Sequence, residues 1–443
     1  MEGKFFSNWS GVSAQANQTY MPVQSGELDE IFESKQPFTF RGLGKNYTDA
    51  GLSRENVIWN MRSNQILSFD ENLGIVRVQS GVVLHHLLML VIPKGWIVPT
   101  IPGTAYVTMG GMVASNVHGK NQYRAGSIGD YVQQFVLRTP AFGKVICSPT
   151  ENREWFDATI GGMGTTGFIE EIELRLQKIQ TPFLNTNYIK TKNIDEQIQI
   201  MESKRSVSDF TIGWMDHLSL KQNQIHGLIE HARYSDQTYD YNWNSKISFR
   251  SVQIPFYMPV SLVNHCTSKI FNTLSYAKPY PCNQSIHFYE FNFKLDKLRD
   301  WNRLYGSNGL IQYQCLIPKS DQTSSHVQHV LSYLREHDVV SSLVVVKLHR
   351  KDPFGNLSFS RDGVSVAMDF PYHPRSIEVL RNLNPWVIDI GGRVYLTKDR
   401  TMTAEQFEKM YSSPLSEQRK ILNAIDPHKK MESLFSKRLK IRE

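Results

Sequence analysis

Cysteine is scarce in this chain. The four present, Cys147, Cys266, Cys282 and Cys315, are scattered through 443 residues without paired spacing. That excludes a disulfide scaffold and a cysteine-rich zinc module, implies no metal site, and suits a reducing compartment. No apolar run approaches the roughly 18 residues a transmembrane helix needs. The best stretch, Val82 to Ile92, is short and carries His85 and His86. The opening Met1-Glu2-Gly3-Lys4 leads into no apolar signal core. A soluble, cytoplasmic protein is expected. Internal repeats and low-complexity tracts are also missing. With 40% hydrophobic and 21% charged residues, disordered and fibrous classes drop out.

The length is about three times the ~150-residue domain norm, so two or three domains are expected. Charge is unevenly placed. Of the net +7, the segment from Arg393 to Glu443 supplies +5, with 12 Lys/Arg against 7 Asp/Glu. Its end, Ser436 to Arg442, reads either as a solvated terminal helix or as a basic surface drawn to anionic lipid. The second reading implies peripheral contact with the inner face of a membrane. No helix-turn-helix, zinc or base-stacking motif accompanies the basic balance, so nucleic acid is not an expected partner.

Texture divides the chain at Lys178 to Pro182 and again near Gly391. Residues 1–178 are rich in glycine turns and short strands. Val82 to Val91 reads as a helix stopped by Pro93. In 179–391, Ile286 to Leu295 reads as an aromatic-rich strand. Val327, Val330, Leu331 and Leu334 have helical spacing. Leu343 to Leu348 and Val364 to Phe370 read as strands, and Pro374 to Leu383 as a helix. Helices packed on one face of a large sheet follow. Ser235 to Gln284 shows no period and reads as a long loop or lid. In 392–443, Thr403 to Gln406 is a capping box that starts a helix, with another helix after Pro414.

Gly162-Met163-Gly164-Thr165-Thr166-Gly167 matches a dinucleotide fingerprint by letter. Such a site needs a strand before the glycines and a helix after them, because the helix N-terminus carries the pyrophosphate. Here a helical stretch, Glu154 to Ile160, comes first. Phe168 to Gln177 follows, with Ile172, Leu174 and Leu176 alternating against charged residues. The order is reversed, and a Rossmann site is rejected.

Four other small-residue stretches make more sense together. Arg41-Gly42-Leu43-Gly44-Lys45-Asn46 follows a strand; Pro99 to Thr104, Thr108 to Asn121 and Gly126 to Asp130 come after it. Small residues let backbone N–H groups approach phosphate oxygens. The set suggests a chain wrapped around a long anionic cofactor.

The order RGLGKNYTDAGL (41–52), PTIPGTAYVTMGGMVASNVHGKN (99–121), GSIGD (126–130), GGMGTTGFIEEIELRL (161–176) and GGRVYLTKD (391–399) resembles the FAD-binding flavoenzymes of the vanillyl-alcohol-oxidase type. Within them the likeness is to enzymes that oxidise a lipid-linked ribose. Looser matches at 213–216, 301–306, 311–314, 345–348 and 368–371 extend it over most of the chain. The resemblance implies an α+β, two-domain enzyme. Residues 1–178, completed by 392–443, would form a PCMH-type FAD-binding domain. Residues 179–391 would form an antiparallel-sheet substrate domain over the flavin ring.

It also implies the site. FAD would be held by Arg41, Gly42, Leu43, Gly44, Lys45, Asn46, Tyr47, Pro102, Gly103, Thr104, Thr108, Gly110, Gly111, Asn116, His118, Gly119, Asn121, Ser127, Gly167, Ile169 and Tyr395. Several such enzymes tether the flavin through a histidine in the first glycine turn. Lys45 stands there in this chain, so non-covalent FAD is expected. Ala367 stands where near members carry cysteine, so no thiol is required for turnover.

Oxidising a secondary alcohol sends a hydride to the flavin, and a fixed cation stabilises the anionic ring that results. The resemblance places Lys398 there as the catalytic cation, with Tyr47, His118 and Lys120 beside it. Lys120, Trp214, Gln312, Gln314, Lys347 and Lys398 would bind substrate. Gln312 and Gln314, two apart on a strand, face one side and suit sugar hydroxyls. Lys347 breaks an apolar run, so it must meet a cavity or a partner.

The expected reaction is oxidation of the ribose 2′-hydroxyl of a polyprenylphosphoryl ribose. This would be the first half of an epimerisation to arabinose in cell wall biosynthesis, completed by a separate NAD(P)H-dependent reductase. The irregular stretch 235–284 would line a groove for the polyprenyl tail. Oxidation of a soluble sugar, alditol or aldonolactone is the alternative. A flavoprotein-like binding module without turnover is a third, opposed by the presence of Lys398, His118 and Lys120.

Overall fold

The computed structural model describes residues 2–23, 26–33, 36–222, 224–236 and 250–442. Three sheets organise them. The first, four-stranded, runs in the order Glu2–Ser7, Ser13–Tyr20, Asn56–Trp59, Phe38–Arg41. Its first pair is antiparallel and the others are parallel. The second is an antiparallel five-stranded sheet ordered Ile66–Asp70, Ile75–Gln79, Phe168–Arg175, Val132–Thr139, Gly143–Cys147. The helix Arg153–Thr159 precedes the glycines at 161–167 and the strand Phe168–Arg175 follows them. This is the reversed order expected from the sequence.

The third sheet has eight antiparallel strands: Gln284–His287, Phe183–Asn193, Gln224–Tyr234, Phe210–Met215, Leu343–His349, Gly363–Pro371, Leu310–Pro318 and Arg393–Val394. Residues of period two divide its faces. Met215, Val344, Val346, Val364, Val366, Met368, Ile311 and Tyr313 enter one core with the helices Ile194–Ser203, Thr323–Glu336 and Pro374–Asp389. The alternate residues, Trp214, Lys347, Ser365, Ala367, Asp369, Gln312 and Gln314, are left for the opposite face. Register aligns them: Trp214 lies across from Val345, Val345 from Ala367, and Ala367 from Gln314. The last strand, Arg393–Val394, belongs to this sheet and delivers the chain to Lys398.

Three readings of the sequence need correction. The expected strand Ile286 to Leu295 ends at His287; the helix Phe288–Asn292 and a 3-10 turn, Lys294–Lys297, follow. Phe288, Tyr289, Phe291 and Phe293 are all buried, a run that serves a fully enclosed short helix as well as a strand. Within 235–284, expected to be a loop, His265–Ala277 is a helix started by a reciprocal cap between Asn264 and Thr267. Residues 237–249 of that stretch lie outside the described residues. The two helices expected from Thr403 and around Pro414 are present: they join across a kink at Tyr411 within Ala404–Ile425.

The arginines of the basic tail are tied into the protein, while Lys437 and Lys440 are exposed. Arg438 donates to Asp49 Oδ1 at 2.9 Å and Asp399 Oδ2 at 2.9 Å. Arg442 pairs with buried Asp426 at 2.6 Å and donates to Thr165 O at 2.8 Å. Leu439 and Ile441 are fully buried. Among the described residues no helix is long and apolar enough to cross a membrane.

Candidate active site

A cleft opens between the first two sheets. Its walls include Arg41, Gly42, Gly44, Asn46, Gly110, Gly111, Gly167 and Ile169, all expected, together with Asn60, Ser80, Met163, Gly164 and Phe168, which sequence reasoning missed. Side chains on several of its glycines would collide with the walls. A Cβ on Gly42 would sit 2.3 Å from Thr108 Oγ1, and one on Gly110 2.7 Å from Ser80 Cβ. Thr108 itself caps the helix Met109–Ala114, accepting from Gly111 N at 3.2 Å. Asn60 Oδ1 is buried with no partner. A narrow bed of glycine backbone with an unmet buried acceptor fits an elongated cofactor rich in donors and acceptors, as FAD is.

Several expected cofactor contacts are engaged within the protein instead. Asn116 donates to Asp352 Oδ2 at 3.1 Å, and Ser127 donates to Asp352 Oδ1 at 2.7 Å. Both side chains thus partner a buried carboxylate, which must be satisfied to stay inside. Asn121 donates to Pro99 O at 2.8 Å. Arg41 donates to Asn8 Oδ1 at 2.6 Å and Ser7 O at 2.8 Å, fixing the first glycine turn rather than reaching out as a free cation. Lys45 stacks over Trp9, 3.7 Å from the ring centroid. Pro102, Gly103 and Thr104 form a loop whose next residue, Ala105, donates to Asp296 at 2.8 Å. A Cβ on Gly119 would meet Ile101 O at 2.7 Å, so only glycine lets the His118 loop pass. Leu43 is half-buried in the turn.

Beyond the cleft, the remaining expected residues converge. Tyr47 N donates to Thr397 O at 2.9 Å, joining the first glycine turn to the loop that carries Lys398. The Tyr47 phenol bonds Gln312, and burial with nearby Asp369 pushes its pKa well up. Gln312 also donates to Asp369. Gln314 Nε2 reaches His118 Nε2 at 3.2 Å and Ser365 Oγ at 3.0 Å. The Tyr395 ring lies 5.0 Å from His118, and its hydroxyl donates to Ser115 O at 2.9 Å. Lys120 Nζ donates to Phe291 O at 2.6 Å and stands 3.5 Å from Glu230. Trp214 is half-buried on the same sheet face.

Charge is concentrated here. Burial lowers Lys398 to about 8 and Lys120 to about 8. Lys347 falls to about 7, first through burial and then through the charges of Lys398 and Lys120. Burial lifts Asp369 to about 6, against the opposing pull of its bond to Gln312 and of Lys398. His118 and His349 are held well below their ordinary range by burial and by these lysines. His349 rests between Ser360 Oγ at 3.1 Å and Ser365 Oγ at 2.8 Å. Asp369, His349, Glu230 and Ser365 were missed as site residues. The signal was present for two of them: Asp369 interrupts an apolar strand, and His349 lies two residues beyond Lys347, on its face of the sheet.

Comparison with known proteins supports an FAD-binding oxidoreductase. Residues 27–148 match a family described as FAD binding domain. The chain is 30% identical over 412 residues to the decaprenylphosphoryl-beta-D-ribose oxidase of Mycolicibacterium smegmatis, covering 90% of this chain and 88% of that one. It is 23% identical over 435 residues to the L-gulonolactone oxidase of Mus musculus, covering 93% and 92%. Over 190 residues it is 26% identical to the mitochondrial L-galactono-1,4-lactone dehydrogenase of Brassica oleracea, covering 42% and 31%. The chain belongs to the family of FAD-dependent sugar oxidoreductases acting on CH–OH groups that includes the mycobacterial decaprenylphosphoryl-beta-D-ribose oxidase.

Proposed function

We propose that this enzyme oxidises the ribose 2′-hydroxyl of a polyprenylphosphoryl ribose to the keto sugar. The observation that carries the reading is the trio Lys120, Lys347 and Lys398. All three ammonium groups are lowered by burial; the charges of Lys398 and Lys120 lower Lys347 further, while Glu230 raises Lys120 and Asp369 raises Lys398. A pocket so charged suits an anionic sugar better than a neutral one, because a bound phosphate would restore all three cations. The match to the mycobacterial oxidase supports the same substrate class.

Bound FAD supplies the hydride acceptor. The glycine bed at 42–44 and 110–111 and the turn at 164–167 would hold it non-covalently, beneath a substrate region formed by 179–391. Acid denaturation should then free the flavin from the polypeptide. Lys398 holds a positive charge where negative charge develops on oxidation. Gln312 and Gln314 orient the sugar hydroxyls, and Trp214 packs on the ring. Tyr47, bonded to Gln312 and close to Asp369, polarises the reacting hydroxyl and passes its proton toward that carboxylate. Lys120 and Lys347 grip the phosphate.

A keto sugar so formed would need reduction by a separate NAD(P)H-dependent enzyme to complete an epimerisation. The test is to trap the product with borodeuteride and locate the label. Deuterium at C2 is expected; deuterium at another carbon, or none, overturns the assignment. A second reading, a soluble sugar, alditol or aldonolactone as substrate, draws on the full-length match to L-gulonolactone oxidase. It predicts turnover of free sugars without the phosphate.

A further inference from the structure

The helix His265–Ala277 is inside out. Its buried residues are polar: Ser268, and Asn272, which donates to Asp216 Oδ1 at 2.8 Å and Ser342 O at 3.3 Å. Ile270, Phe271 and Leu274 sit on the other side, exposed to 63%, 68% and 66%. The preceding segment repeats the pattern, with Val252, Phe256, Tyr257, Val260 and Leu262 all exposed. Half of the sixteen large hydrophobic side chains exposed among the described residues therefore fall within residues 252–274. Scattered apolar residues need no explanation, but eight within residues 252–274, three of them on a capped helix, mark a covered surface.

Charge identifies the cover. From 250 to 289 the sequence holds three cations, Arg250, Lys269 and Lys278, and no Asp or Glu. Among the neighbouring acids, Asp300 is engaged by Arg303 and Gln253. A second copy of this chain would bring like charges together across such a patch. An anionic bilayer surface satisfies both features, taking the apolar side chains below the head groups and pairing the cations with phosphates.

We propose that the helix His265–Ala277 and the segment Val252–Leu262 form an interfacial docking surface for anionic lipid. Backbone bonds from Met258 N to Arg303 O at 3.0 Å and from Leu262 N to Leu304 O at 2.9 Å tie the patch to the turn Trp301–Tyr305. Tyr305 in turn lies close enough to Asp369 to feel its charge. Docking would therefore set one edge of the active site at the lipid surface. The proposal stands on the patch and is independent of which sugar is oxidised.

The test uses the full-length flavoprotein with vesicles of phosphatidylcholine alone or mixed equally with phosphatidylglycerol. Cosedimentation with the mixed vesicles, weakened by salt, is expected. The triple variant Ile270→Ser, Phe271→Ser, Leu274→Ser changes only exposed positions. It should lower partition by about tenfold or more while leaving the flavin spectrum unchanged. Absent vesicle binding by the native chain, or equal partition of native and triple variant, overturns the proposal. So does a native dimer, seen in sedimentation velocity, that the triple variant converts to monomer without any lipid binding.

Discussion

Gln314 Nε2 lies 3.2 Å from His118 Nε2, a contact that joins the eight-stranded sheet to the glycine-rich loop 196 residues away. An amide nitrogen donates, so the imidazole Nε2 accepts and the ring proton sits on Nδ1, which is buried without a partner. Burial and the charges of Lys347, His349 and Lys398 keep His118 neutral. In the proposed site it would act as an oriented hydrogen-bond donor. His118→Gln should therefore slow flavin reduction without moving either limb of the pH profile, measured by single-turnover kinetics across pH.

Those limbs belong to other groups. Asp369, raised to about 6, must lose its proton to accept one from the reacting hydroxyl. Lys398, lowered to about 8, must keep its proton to face developing negative charge. Flavin reduction should rise through about pH 6 and fall through about pH 8. The carboxylate of Asp369 raises Lys398, so Asp369→Asn should abolish the acid limb and shift the alkaline limb to lower pH. An unmoved alkaline limb would contradict the assignment.

The glycine bed makes a separate prediction. In Gly42→Ala the new methyl group would stand 2.3 Å from Thr108 Oγ1, so the threonine or the turn must move. Overpacking of this kind costs about 1–3 kcal/mol, here in the wall of the cofactor cleft. Flavin absorbance per polypeptide should fall by about tenfold or more at limiting FAD, with circular dichroism unchanged.

The tail is a brace. Arg442 joins Asp426 and reaches Thr165 in the loop beneath the cleft, with its side chain only 7% exposed. Breaking a buried pair by removing one partner costs about 3–5 kcal/mol. Arg442→Met should lower the midpoint of thermal unfolding by several degrees and weaken flavin retention. Vesicle binding by the folded protein should be unaffected, because the lipid-facing patch lies elsewhere.

Much of the site could be read from the residues themselves. The reversed order around Gly162–Gly167 excluded a Rossmann site, and the structure has that order. Lys347 announced itself as a charge in an apolar strand, and Gln312 and Gln314 as a pair on one face. Asp369 obeyed the same logic but passed unnoticed among hydrophobic neighbours. Other features depended on long-range pairing that periodicity does not carry. The bonds of Asn116 and Ser127 to Asp352, more than 200 residues away, are one such pairing. The tail looks solvated until Asp49, Asp399 and Asp426 claim its arginines. The inverted helix at 265–277 hid because its apolar residues face outward, the opposite of the pattern a sequence reader seeks.

The most direct measurement is anaerobic stopped-flow bleaching of the enzyme flavin. Polyprenylphosphoryl ribose should bleach the native enzyme quickly. Lys398→Ala, while still holding flavin, should react about 100-fold or more slowly. A protein that is colourless and cannot be loaded with FAD, or one whose flavin is bleached by free polyols and not by the lipid-linked sugar, would contradict the account.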